Sequence, residues 1–97
     1  MAQSIMQKYE NGQVVKKCYL TGRTDNLDKH HCMNGPFRKK AEAFGLWIFL
    51  QHDVHMKLHQ TKQGQKVAIW LKQQAQEAFE RKYGHEKWMK EFKRNYL

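Results

Sequence analysis

Five of the chain's six histidines fall between Lys29 and Gln60, and four of them form two pairs. His55 and His59 are four residues apart. On a helix that spacing puts both rings on one face, with Cβ atoms roughly 5–6 Å apart, which suits two imidazoles gripping one cation. His30 and His31 are adjacent. On a strand, neighbouring side chains point to opposite faces, so one of this pair can face a metal while the other faces a substrate. Neutral imidazole binds zinc and similar cations at about 2.0–2.1 Å, and three imidazoles leave at least one coordination position open, as a catalytic metal requires. A cation held this way can polarise a scissile phosphate, while an uncoordinated histidine takes a proton from water near neutral pH. For any one histidine a solvated or hydrogen-bonded ring is the plainer reading. Two pairs at these spacings in so basic a chain favour the site.

The elements that must position these residues can be read from periodicity and breakers. Val14–Leu20 is β-prone, Thr21 to Asn26 supplies turn chemistry, and Leu27–Met33 is the return strand of an antiparallel hairpin. Asn34-Gly35-Pro36 then bends the chain. Phe37–Phe44 reads as a short helix stopped by Gly45, and Leu46–Leu50, the longest apolar run, as a buried strand. Asp53–His59 is a turn or two of helix, with Asp53 near its start where a carboxylate suits the dipole. From Thr61 the period becomes helical: Val67, Trp70, Leu71, Ala75, Ala78 and Phe79 mark an amphipathic helix ending near Tyr83-Gly84. A last helix over His85–Arg94 offers Trp88, Met89 and Phe92 as its apolar side. Trp47, Trp70 and Trp88 read as core, Cys18 and Cys32 as small buried residues, and His52 as an exposed residue without a role.

Ninety-seven residues make one domain, with a metal module over about 14–60 and a helical part over 61–97. A core this modest gains stability from a metal that ties loop to helix. No run approaches the ~20 apolar residues of a membrane span, and Met1–Tyr9 has no signal-peptide core. Two cysteines are too few for a disulfide scaffold, and they form no Cys-x-x-Cys pair, so the expectation is a reducing, cytoplasmic setting. Eighteen Lys and Arg against nine Asp and Glu give a net charge of +9, with a pI near 9.7. A domain pI above about 9 is an electrostatic footprint of nucleic-acid binding, with a solvated basic surface as the alternative. Arg38, Lys39 and Lys40, which follow the His-His loop, are the candidate phosphate contacts.

Asp28-Lys29-His30-His31, the Asn34-to-Glu42 run Asn-Gly-Pro-x-Arg-Lys-Lys-Ala-Glu, Gly45-Leu46-Trp47, His55-x-x-x-His59 and the terminal Arg94 to Leu97 together resemble the HNH (ββα-metal, His-Me finger) endonucleases, most closely the small phage-encoded type. The resemblance runs from about Cys18 to the C-terminus. It implies an α+β fold, a ββα-metal module followed by two additional helices. It implies that His31 is the general base and that His30, His55 and His59 hold one divalent metal ion. It also implies a phage or prophage gene product in the cytoplasm of a bacterial host. The middle Asn that names the family has no counterpart between Leu46 and Gln51.

The function so expected is divalent-metal-dependent hydrolysis of DNA phosphodiester bonds. Zinc suits three imidazoles best, with magnesium, manganese, nickel and cobalt also admissible. The partner is DNA and not a membrane, and a homodimer or a recruiting protein would make up for the chain's lack of a sequence-reading module. Two rivals stand beside this reading. One is a catalytically inactive DNA-binding module that keeps the fold. The other is a structural-zinc interaction domain in which Cys32 or Asp28 closes the fourth position.

Overall fold

Asn11 and Gly12 both take left-handed backbone angles, φ 52° and 77°. A two-residue hairpin turn demands that conformation, and Asn-Gly adopts it readily. In the computed structural model, which describes residues 3–97, the chain reverses there. Tyr9–Glu10 (β1) pairs antiparallel with Gln13–Val14 (β2). Val14 is thereby committed to a near neighbour, and the expected hairpin of Val14–Leu20 with Leu27–Met33 does not form. Residues 15–26 run instead as irregular chain, pinned where Cys18 N–H donates to Arg23 O (2.7 Å) and Gly22 N–H to Cys18 O (2.9 Å).

Leu27–His31 (β3) pairs with a more distant segment. Beyond a 3₁₀ turn at Gly35–Phe37 and the helix Arg38–Phe44 (α1), the chain returns as Trp47–Gln51 (β4), antiparallel to β3 with His30 opposite Ile48 and His31 opposite Trp47. Burial decides this choice. Leu46, Ile48 and Leu50 are fully buried, and an apolar run of this kind has to sit at the centre of the molecule rather than beyond its edge. The far side of β4 is closed by the N-terminal segment. Phe49 N–H donates to Gln7 Oε1 (3.2 Å), Phe49 O accepts from Tyr19 N–H (2.8 Å), and Ser4 Oγ donates to Trp47 O (2.6 Å). An uncovered strand edge would leave these backbone groups unpaired.

Glycine is required at two close approaches. Gly45 ends α1 at φ 74°, where a Cβ would fall on Gln3 O. Gly64 lies in the first turn of Lys62–Tyr83 (α3), where that helix crosses the end of His52–Gln60 (α2). A Cβ on Gly64 would fall on Lys57 O and within 2.6 Å of Leu58 Cα. The backbones of α2 and α3 therefore touch directly, which sets the angle at which α2 presents its side chains. Thr61 caps α3 by accepting from Gly64 N–H at 2.8 Å.

His85–Phe92 (α4) follows at Gly84. Leu71, Ala75 and Phe79 of α3 meet Trp88 and Phe92 of α4 in one core that also holds Ile48, Leu50 and both cysteines. Trp88 stacks on Phe92 with ring centroids 4.3 Å apart. Burying each such side chain contributes on the order of 1.5–3 kcal/mol. Gln76 is buried too, and its amide is fully used: Nε2 donates to Asn95 Oδ1 (2.7 Å) and Oε1 accepts from Tyr96 N–H (2.7 Å), which fastens residues 93–97 to α3. Trp70 departs from the expectation of three core tryptophans. It is 43 % exposed on α3, with its ring 6.4 Å from that of Tyr19. Among the described residues the architecture is mixed α+β, two two-stranded sheets and four helices, and no helix is long and apolar enough to cross a membrane.

Candidate metal centre

The pleat of β3 sorts its residues onto two faces. Asp28 and His30 turn toward α2, and Lys29 and His31 toward α1, where Lys29 Nζ meets Glu42 Oε1 and Oε2 at 2.7 and 2.9 Å. Because α2 starts directly from β4, its first two turns lie over β3. There the i, i+4 pair His55 and His59 meets His30. Ring centroids are 5.2 Å apart for His30–His55 and for His55–His59, and 6.2 Å for His30–His59. One nitrogen from each of the three lies within 4.8 Å of the others. Tetrahedral coordination at about 2.0–2.1 Å needs nitrogens roughly 3.3 Å apart. These three histidines lie close enough together to bind a metal ion, as the spacing led one to expect.

The donor chemistry fits such an ion. His30 is only 9 % exposed, and burial, reinforced by His55 and His59, pushes its pKa down to about 4. It is therefore neutral, the form that binds a metal, at any pH near 7. His55 is held from behind: its Nδ1–H donates to Asp28 Oδ2 at 3.0 Å, which leaves Nε2 as the nitrogen available to a metal. A carboxylate behind a ligating imidazole fixes the tautomer and the ring orientation. His52 donates to the same Asp28 oxygen at 2.8 Å, and the two bonds, that from His55 first, hold the Asp28 carboxyl below its usual range.

Asp28 thus braces the triad from outside it. The signal for it was present, since it lies two residues before His30 on a strand and so shares its face. His52, expected to have no role, helps to fix it. Cys32 offers no ready thiolate, because burial pushes its thiol up to about 12 and its S–H points at Met6 Sδ, 3.7 Å away. Among the described residues, no fourth His, Cys, Asp or Glu joins the triad. Replacing Asp28 with alanine should weaken zinc binding by about 10–100-fold, the usual worth of such a partner. Competition with a chromogenic chelator measures this, and an unchanged affinity would show that Asp28 does not orient His55.

His31 opens into the same recess, of about 210 Å³, whose walls also include His30, His55, His59, Arg38 and Asn34. Burial lowers the His31 pKa, Glu42 opposes that effect, and Arg38 and Lys29 add to it. The Glu42 carboxylate is 3.7 Å from His31 Nε2. The three candidate phosphate contacts separate. Arg38 lines the recess, and Lys39 borders an adjoining one with His31 and Glu42. Lys40 turns away and ties α1 to α4 through Glu91, its Nζ 3.3 Å from Oε2 and 2.9 Å from the backbone O. Sequence reasoning did not find Lys29 and Glu42, because a strand-to-helix ion pair 13 residues apart leaves no local pattern. Comparison of the chain with protein-family models, with curated proteins and with solved structures finds no match.

Proposed function

We propose that this protein is a divalent-metal-dependent DNA endonuclease built on a ββα-metal module, with β3, β4 and α2 as its three elements. The observation that carries the reading is the convergence of His30, His55 and His59 in one recess with His31 and Arg38. A cation held by the three imidazoles supplies Lewis acidity toward a phosphodiester oxygen. His31, on the opposite face of β3 from His30, accepts the proton of the attacking water. Its lowered pKa leaves it unprotonated and ready at neutral pH. Arg38 and Lys29 set positive charge beside the position of the phosphate, with Glu42 holding Lys29 in place. Asp28 keeps His55 in the ligating tautomer. The net charge of +9 draws a polyanion to the recess.

The test combines metal analysis with nicking of supercoiled plasmid. The purified protein should carry or take up about one equivalent of zinc or a similar ion. Nicked circles should appear with metal, vanish with chelator and return when metal is restored. A protein that binds its metal and yet nicks no DNA with zinc, nickel, cobalt, manganese or magnesium is not this enzyme.

A further inference from the structure

Two recesses open off the histidine cluster. The one toward α1 holds His31 and Arg38. The other, of about 340 Å³, runs along α3 and is walled by Leu58, Gln65, Ala68, Ile69 and Lys72. His30, His59 and Asn34 line both. The two therefore adjoin at the histidine cluster, with Arg38 lining the one toward α1 and Lys72 the one along α3. A ligand filling both has to be extended and must carry negative charge at more than one point.

The α3 wall is covered only in part by the rest of the fold. Gln65, Ala68, Ile69 and Lys72 are spaced i, i+3, i+4, i+7, which makes one helical face; its continuation along α3 buries Ala75 and Phe79, whereas here, in the first half of the helix, Gln65 and Ile69 stay exposed and Ala68 and Lys72 are half-buried. Ile69 is 53 % exposed. Lys72 has no ion-pair partner among the described residues; its ammonium lies 5.6 Å from the centre of the Tyr96 ring. The residues lining this recess include no carboxylate. Its volume falls within the roughly 300–1,000 Å³ of small-ligand sites.

We propose that this face of α3 is a nucleotide subsite: Lys72 binds a backbone phosphate next to the scissile one, the sugar and base lie against Ala68 and Ile69, and Gln65 hydrogen-bonds the base edge. The proposal rests on the nuclease reading for its substrate class, and it gives the strand a path from α1, across the metal centre, to α3. It also assigns a function to Lys72, which lies outside the Arg38–Lys40 cluster.

The experiment is binding, independent of cleavage. Fluorescence anisotropy of a labelled 20-nucleotide DNA, single-stranded and duplex, is followed across a salt series with the zinc-loaded protein and its Lys72→Gln, Ile69→Ser and Lys82→Gln variants. Lys82, exposed near the far end of α3, controls for the general loss of charge. Lys72→Gln should weaken binding by roughly tenfold at fixed salt and reduce the salt slope by about one phosphate contact, 0.9 on duplex and 0.7 on single strand. Ile69→Ser should weaken it by roughly three- to tenfold with the slope unchanged, since it removes apolar contact and no charge. Melting temperature and zinc content should match the parent for both. If Lys72→Gln and Lys82→Gln weaken binding equally, or if the parent does not bind DNA at all, the subsite is refuted. A parent that binds through Lys72 and Ile69 but never cuts would refute the nuclease and leave the subsite standing.

Discussion

Replacing His31 with alanine should lower DNA cleavage by roughly 10²–10⁴, the usual worth of a positioned base, while metal content, melting temperature and DNA affinity stay close to parental. His31 is not among the converging nitrogens, so removing its ring takes away a proton acceptor and no ligand. His55→Ala and His59→Ala should behave in the opposite way. Each strips one of three ligands, so zinc affinity should fall steeply. The zinc-loaded melting temperature should fall with it, because binding energy at a site that joins α2 to β3 is also folding energy. His55→Ala should be the more damaging, since it also leaves Asp28 with only His52 to bond. Zinc content, thermal melting and plasmid nicking on the same three variants separate the roles. If His31→Ala cuts as fast as the parent, the assignment of the base is wrong. If it loses zinc, then His31 is a ligand and the adjacent pair exchange roles.

Acidification should destabilise the metal-free protein by about 3 kcal/mol through His30 alone. Its pKa is near 4 in the folded chain and about 6.5 in an unfolded one. Between those values the unfolded chain binds the extra proton and the folded one does not. The stabilisation is therefore complete above pH 6.5 and drains away as the pH falls toward 4. His31, also lowered by burial, adds in the same direction. At roughly 4–8 °C per kcal/mol for a domain of this size, the melting temperature should drop by about 12–24 °C over that window. Bound zinc should hold the melting temperature up until protons displace it, moving the fall to lower pH. The His30→Gln variant has no imidazole to protonate and should show a much shallower slope between pH 6.5 and 4.5. A melting temperature of the metal-free parent that is flat from pH 7 to 5 would mean that His30 is neither buried nor crowded by imidazoles in solution.

Much of the helical part was legible because helices are written locally. The four-residue spacing of His55 and His59 requires only a helix to put both rings on one side, and α2 runs one residue beyond the expected Asp53–His59 at each end. Gly45 and Gly84 ended their helices where expected. The triad of His30, His55 and His59 was also within reach of the sequence, since a strand that offers alternate faces and a helix that offers one can meet in few ways.

Strand partnership was decided by tertiary structure. Leu27–His31 looked ready to pair with the nearest β-prone segment, but Val14 closes instead on Tyr9 across Asn11-Gly12, and the buried run at Ile48 and Leu50 claims β3. A strand's local pattern states that it has a buried face and does not state which partner covers it, because that choice depends on apolar area gathered from the whole chain. Lys39 and Lys40 adjoin in sequence and part in space, one beside His31 and the other on Glu91 of α4. Trp70 fell among the apolar positions of α3 and stays half in water, since it points about 100° round the helix from buried Leu71, where Tyr19 meets its ring. Asp28, Glu42 and Lys72 come to the site from β3, α1 and α3. The residues that could ligate a metal were marked by their chemistry and by the local spacing of the His55/His59 pair. Those that orient them and line the adjoining recesses come together only when distant elements dock, as burial of the core brings α1, α2 and α3 together around the histidines.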